Sequence, residues 1–378
     1  MTGTRGSAEA ADFIAGELES SGLEPAFDRS FFQPVPMVEA TDARGRQRLF
    51  LEGDESTQGL EVLQEVVDVN VGGILWGTDP ERGQEIIVVS AHFDHLGRRP
   101  PRPGTPAEAE GDSIYNGADD DASGVAAVLE VAHSMAQDGP GKRTVLFLLV
   151  TGEEMGLLGS RWYVEHPVFP LEETVADLNV EMLGRPGPIY EGAGTGWLTG
   201  FHRSTLGPIL VSDGLDVKPD PFPDRGLFFG SDNASFAMAG IPAHTLSSSD
   251  LHEDYHTPDD EVDRIDFQSM TQVVETLIQA VRATGSTVLW SCDPMHGNTE
   301  TTEAGIKTRR FDNILGGLAV GLASCLLLLL WVRDELSFDR FHTHADSLYR
   351  VVNRSDNTDY LIVPGGLGPA LKAEIPEI

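Results

Sequence analysis

Apolar residues recur along this chain in two rhythms. Between Ser7 and Ser21, Ala11, Phe13, Ile14 and Leu18 fall on one side at helical spacing and Gly22 follows as a stop, which predicts an amphipathic helix. The segments PMVEATDARGRQRLFLEG and EVVDVNVGGILWG mix β-branched residues with Gly-containing turns, the pattern of antiparallel strands and a hairpin at one edge of a sheet. The rhythm then changes to short, wholly apolar runs, Ile86–Ala91 and Thr144–Thr151. They are separated by a helical stretch, Ser123–Ala136, with Ser123 as the expected N-cap. Strand, helix, strand in that order predicts a parallel βαβ unit. Runs at Leu178–Leu183 and Ala243–Leu246 extend the sheet, a helical period over Phe267–Ala283 closes the domain, and its end is expected near Gly285.

A third pattern follows. ILGGLAVGLASCLLLLLWV, from Ile314 to Val332, runs 19 residues without a charge, about the length that crosses the hydrocarbon core of a bilayer. The alternative, a buried core helix, fits poorly because the leucine run is apolar on every face and follows a polar linker. The expected organisation is therefore an α/β domain at 1–285, a linker at 286–308, a transmembrane helix at 309–333 and a short extension at 334–378. Lys307, Arg309 and Arg310 before the apolar run favour a cytoplasmic amino-terminal side.

Composition narrows the possible partners. The formal net charge is -34 with only four lysines, so a phosphate backbone would be repelled and nucleic acid is excluded as a partner. Two cysteines, Cys292 and Cys325, imply no disulfide framework. No basic stretch followed by an apolar one opens the chain, so no signal peptide is expected. Nothing in the sequence fixes an oligomeric state.

The chemistry sits where the apolar strands end, which is where open α/β sheets place their sites. Ile86–Ala91 runs into HFDHLG, where His92 can bind a metal while Asp94 orients the ring through its other nitrogen. NGADDDASG packs Asp119, Asp120 and Asp121 among small residues just before a helix, and one such carboxylate can bridge two cations. A single aspartate complementing the helix dipole would explain one of the three, not all. Thr144–Thr151 leads into TGEEMG, whose adjacent Glu153 and Glu154 would point different ways, one to metal and one to water. Glu181 in NVEMLG is an acid in an otherwise apolar strand and His256 in YHTPDD a histidine in a polar loop, residues that in isolation would usually be structural, whereas His133, His166, His202, His252 and His296 lack such settings and most are expected to face solvent or be locally bonded. The combination suits metal-assisted hydrolysis, in which a free carboxylate shuttles a proton.

The motifs HFDHLG, NGADDDASG, TGEEMGLLGS, NVEMLGR and YHTPDD, in this order, resemble the co-catalytic di-zinc aminopeptidases and glutamate-carboxypeptidase-like enzymes of peptidase family M28. The likeness covers about residues 1–285. It implies a mixed, mostly parallel central sheet sandwiched by helices and two zinc ions as cofactors. It further implies that His92 and Glu181 hold one zinc, Glu154 and His256 the other, and that Asp120 bridges both. Glu153 would be general base and acid, and Tyr255 would donate a hydrogen bond to the oxyanion. Aspartate is more common than glutamate at the position of Glu181, so the longer side chain must bend to reach the same cation. A peptide is then the substrate and the amino-terminal peptide bond the expected point of cleavage. The rivals are a binding module that has lost catalysis, a transporter component defined by the apolar run, and cyclisation of an N-terminal glutamine.

Beyond the linker, the apolar run followed by VRDELSFDRFHTHADSLYRVV resembles the start of an FtsX- or MacB-type ABC transporter permease. Family members of the peptidase type are usually exported, which disagrees with the charges before the run. A gene fusion or a misassembled reading frame is the expectation.

Overall fold

The computed structural model describes residues 1–283, save 102, 104–109, 188, 191–193 and 250, and four three-residue strands beyond them. The chain forms two compact units, Met1–Trp290 and Ser291–Ile378. In the second, Thr299–Thr301 pairs antiparallel with Lys307–Arg309, and Asn353–Ser355 with Thr358–Tyr360. The expected transmembrane run at 314–332 lies outside the described residues, as do most of the linker and the permease-like extension. Among the described residues no helix is long and apolar enough to cross a membrane.

In the first unit the chain runs through α1 (Arg5–Ser20), β1 (Phe32–Thr41), β2 (Gln47–Leu51), β3 (Glu61–Leu75), β4 (Ile86–His92), α2 (Gly124–Asp138), β5 (Thr144–Val150), α3 (Leu158–Glu165) and β6 (Thr174–Val180). It continues through β7 (Gly196–Leu198), α4 (Leu206–Ser212), β8 (Val217–Pro219), α5 (Asn233–Met238), β9 (Ala243–Ser247) and α6 (Phe267–Ala283). The strands form one mixed sheet in the order β8, β7, β9, β6, β4, β5, β3, β1, β2. Its centre, β9, β6, β4 and β5, is parallel, and β3, β1 and β2 add an antiparallel meander at one side.

Every residue of β4 (IIVVSAH) and β5 (TVLFLLV) is buried, because these strands lie mid-sheet with helices on both faces. Ile87, Val89, Val145, Phe147 and Leu149 join the cluster that holds Ile14 and Leu18 of α1, Val128 and Val131 of α2, and Val273 and Leu277 of α6. Ile86, Val88, Leu146 and Leu148 face the other way, onto Tyr163 of α3 and Phe236 of α5. Truncating one of these leucines to alanine costs about 2–5 kcal/mol.

Local details differ from the expectation and bear on the site. Helix α1 begins at Arg5, two residues early, because Thr4 caps it by accepting from Ser7 N at 3.3 Å. Phe13 is 62% exposed; the buried stripe is Ala11, Ile14 and Leu18, and Phe13 lies to its side. The start of α1 is pinned by Asp68, whose carboxylate accepts from Gly3 N (2.7 Å), Ser7 Oγ (2.7 Å) and Thr151 Oγ1 (2.9 Å). Ser123 does not cap α2. Its own backbone is helical and its hydroxyl donates to Asp119, while Asp121 Oδ1 accepts from Gly124 N at 3.1 Å. Strand β6 ends at Val180, so Glu181 stands just past a strand rather than inside one, and the chain turns at once through Met182, with φ 54°.

Candidate functional site

Strand β4 has β5 on one side and β6 on the other, so successive crossovers diverge at its carboxyl end and open a crevice there. His92 is the last residue of β4 and is buried. Its Nδ1 lies 3.1 Å from the backbone carbonyl of Asp94 and 3.8 Å from that residue's Oδ1. A carbonyl only accepts, so Nδ1 carries the hydrogen and Nε2 offers a lone pair. Asp94 therefore orients the ring through its main chain and not, as its side chain suggested, through the carboxylate. That carboxylate is engaged elsewhere, accepting from Glu153 N (3.0 Å) and Thr2 Oγ1 (2.9 Å).

Asp120 is brought opposite. Its Oδ1 lies 3.3 Å from His92 Nε2 and its Oδ2 lies 3.1 Å from His256 Nε2, so each oxygen faces a different imidazole. The loop is held from below by Asp260, whose carboxylate accepts from Asp119 N and Asp120 N, each at 3.1 Å. Burial alone would raise the Asp120 carboxyl, but hydrogen bonding to His256 and His92 outweighs it and holds the group well below the ordinary carboxylate range.

The paired glutamates diverge as expected. Glu154 Oε2 lies 3.3 Å from His256 Nε2. Burial pushes the Glu154 carboxyl up, yet the hydrogen bonds to His256 and His95 prevail and bring it down to about 2. Glu153 points toward the other imidazole, with Oε2 4.0 Å from His92 Nε2. Burial drives its carboxyl well above the usual range against the pull of His92, and Glu181, Asp232 and Asp94 add repulsion. Glu181 offers an oxygen within 4.8 Å of both His92 and Asp120 ligand atoms, and burial raises its carboxyl to about 7. Burial would lower His256, but hydrogen bonds to Asp120 and Glu154 raise it to about 9. Its ring stacks on Tyr255 at 3.9 Å and its backbone is left-handed, with φ 57°.

These separations fit a pair of zinc ions. Two ligand atoms about 2.0–2.1 Å from one tetrahedral ion stand about 3.3 Å apart; the contacts of Asp120 and Glu154 with His92 and His256 run from 3.1 to 3.3 Å. The buried atoms that find no hydrogen-bond partner include His92 Nε2, both ring nitrogens of His95, Asp120 Oδ2 and Glu154 Oε1, all at this one place. The sequence reading missed His95, whose Nδ1 lies 2.7 Å from Glu154 Oε1. His95 also offers a ligand atom within 4.8 Å of those of Asp120 and Glu154, so it stands beside His256 as a candidate ligand of the second ion, while the 2.7 Å contact itself has the spacing of a charge-assisted pair. The HxxH spacing from His92 was the available signal. His252, expected to face solvent or be locally bonded, is nearly buried, with a side chain 11% exposed, and its Nε2 lies 3.1 Å from Asp119 Oδ2, a partner distant in the sequence. His133 and His166 are exposed as expected, and His296 lies outside the described residues.

The family model described as Peptidase family M28 matches residues 70–281, more than half of the chain. The chain belongs to peptidase family M28. A probable leucine aminopeptidase of Arthroderma otae is 28% identical over 210 residues, 53% of this chain and 54% of that protein. A leucine aminopeptidase 1 of Trichophyton equinum is 27% identical over 221 residues, with 53% and 55% covered. The chain thus spans about half the length of the curated relatives it matches. Among solved structures, the aminopeptidase of Aneurinibacillus sp. strain AM-1 shares the fold at a TM-score of 0.54 and 16% identity, over 78% of this chain and 92% of that one. A zinc aminopeptidase from Bacillus subtilis does so at 0.51 and 15% identity, over 74% and 89%.

A second family model, the Class-II DAHP synthetase family, matches residues 261–323. A phospho-2-dehydro-3-deoxyheptonate aldolase of Mycolicibacterium smegmatis is 44% identical over 54 residues, 14% of this chain and 12% of that protein. The stretch read as a linker, 286–308, therefore falls within a likeness to a second family.

Beside the M28 site a cavity of about 210 Å³ is walled by Glu181, Met182, Trp197, Leu227, Leu251 and Tyr255, with Thr245 and Ser247 among its hydroxyl lining. A larger groove of about 590 Å³ lies between α1 and α2, lined by Phe13, Ile14, Phe93 and Leu129. The smaller cavity is the one that shares Glu181 and Tyr255 with the candidate metal centre.

Proposed function

We propose that this M28 chain is a two-zinc aminopeptidase that cuts the first peptide bond of a peptide with a free amino terminus. The observation that carries the reading is the placement of Asp120, with one oxygen toward His92 and the other toward His256, while Glu153 stands by with a separate carboxylate. His92 and Glu181 would hold one ion, Glu154 and His256 the other, with Asp120 shared between them. The names of the relatives, leucine aminopeptidase and zinc aminopeptidase, point the same way.

Zinc at these positions would polarise the scissile carbonyl and make the attacking water more acidic. The remaining steps fall to the chain's own side chains. Glu153, its backbone N–H fixed on Asp94, takes the proton of the water and returns it to the departing amine. Burial and the neighbouring carboxylates raise the Tyr255 hydroxyl far above neutrality, so it keeps its proton and can donate to the oxyanion. The cavity bounded by Met182, Trp197 and Leu251 receives the first side chain, and its apolar walls favour an uncharged one.

Three peptides test the reading: Leu-Gly-Gly, its carboxyl-terminal amide and its N-acetyl derivative. Cleavage after Leu in the first two and none in the third is expected. Release of the carboxyl-terminal residue, or turnover of the acetylated peptide, would overturn the aminopeptidase assignment. Loss of ammonia from a Gln-initiated peptide without chain cleavage would favour cyclisation. Membrane attachment through residues 314–332 remains our proposal from the length of that run; recovery of the full-length chain in the salt-washed soluble fraction would count against it.

A further inference from the structure

Three loops bring Asp120, Glu181 and His256 together, and a line of polar side chains ties those loops to one another. Asp119, wholly buried, accepts from Gly184 N at 2.6 Å through Oδ1, and from Ser249 Oγ at 2.6 Å through Oδ2. His252 Nε2 lies 3.1 Å from the same Oδ2, and its Nδ1 lies 2.9 Å from an Arg185 nitrogen. The other guanidinium nitrogen of Arg185 donates to Asp254 Oδ2 at 2.6 Å. A guanidinium can only donate, so Nδ1 of His252 accepts, and the ring's hydrogen sits on Nε2, aimed at Asp119. Each contact along the line thereby joins a donor to an acceptor. The Arg185 and Asp254 side chains are only 17% and 14% exposed, so the pair is more than a solvated surface contact.

We propose that Arg185 and His252 are positioning residues that set the place of His256, and through it the affinity of the second zinc subsite. This rests on the two-zinc reading above. His92 is the last residue of β4, and Glu181 follows directly on β6 with its backbone N–H on Leu246 O of β9 at 3.0 Å, so the sheet holds both whether or not the strap is intact. His256 has no such support. It lies in a loop, two residues after Asp254 and in a left-handed backbone conformation, and the loop meets the rest of the site through the strap on one side and Asp260 on the other. Cutting the strap therefore frees the His256 side and leaves the His92 side seated.

Stepwise zinc titration of the metal-free full-length chain by calorimetry tests this, comparing wild type with His252→Ala, Arg185→Ala and the conservative His252→Gln. Glutamine keeps an amide donor close to where Nε2 stood. In both alanine variants the first ion should bind within about twofold of wild type and the second about 10- to 100-fold more weakly, the range typical for partners behind a metal ligand. His252→Gln should recover most of the second-ion affinity. The proposal is overturned if both alanine variants keep wild-type affinity for the second ion. It is equally overturned if both ions weaken together with the melting temperature of the metal-free chain, which a general packing role would produce. Wild type that fails to bind two ions would instead remove the two-zinc reading itself.

Discussion

Replacing Glu153 with Gln removes one function and little else. The amide has the shape of the carboxylate, the backbone N–H remains on Asp94 at 3.0 Å, and Glu153 is not among the four residues, His92, Asp120, Glu154 and His256, whose atoms stand 3.1–3.3 Å apart. What is lost is a proton acceptor. General-base catalysis is worth about 10²–10⁴ in rate, or about 3–5 kcal/mol at 1.36 kcal/mol per factor of ten. We therefore expect kcat to fall by about 10²–10⁴ for leucine p-nitroanilide, with KM within about threefold, since the amide still occupies the same space. Zinc content should stay at two per chain. The metal-free variant should be at least as stable as wild type, because burial already disfavours a charge at Glu153 and the amide carries none. A variant that retains kcat within tenfold with its zinc intact would refute the assignment. One that loses zinc would show Glu153 to be a ligand instead of a base.

Two further outcomes follow from buried polar groups away from the reacting atoms. His244 is fully buried, its Nδ1 donating to Thr199 O at 2.8 Å and its Nε2 2.6 Å from Ser204 Oγ. Burial lowers it to about 4 from the ordinary 6.5. The unfolded chain therefore takes up this proton first on acidification, so stability present above pH 6.5 is lost as pH falls toward 4. The loss is about 2 kcal/mol at pH 5 by linkage, and urea unfolding of His244→Gln should show a correspondingly shallower fall between pH 8 and 5; parallel curves would contradict this. Asn70, also fully buried, donates to Gln33 Oε1 and Gly159 O and accepts from Thr151 N. Asn70→Ala strands all three and should cost about 2–4 kcal/mol in denaturant unfolding; a loss under 1 kcal/mol would mean that solvent replaces the bonds.

The parallel centre of the fold was legible because β4 and β5 are apolar without interruption and are separated by a long helical period. The residues that gather at the strand ends were legible because each sits in a short motif next to such a run. Less was legible where burial and secondary structure part company. The apolar stretch around Glu181 continues past the end of β6, since Met182 and Leu183 are buried beyond the last strand residue, and a reading from apolarity set the strand too late. Strands β7 and β8, three residues each, are too short to show a period. The roles of His95 and His252 depend on partners 59 and 133 residues away, Glu154 and Asp119. The HxxH spacing marks His95 as a candidate, but no local spacing encodes either meeting. Asp94 showed that even a correctly chosen residue can act through its carbonyl while its carboxylate serves another loop.

The central claim is that one aspartate joins two cation subsites at the end of β4. Diffraction from crystals of the zinc-loaded chain, with anomalous maps calculated from data on either side of the zinc absorption edge, addresses it directly. Two peaks about 3.5–4 Å apart, one between His92 and Glu181 and the other between Glu154 and His256, with Asp120 touching both, are the predicted result. A single peak, or zinc bound elsewhere while these side chains keep to themselves, would contradict it.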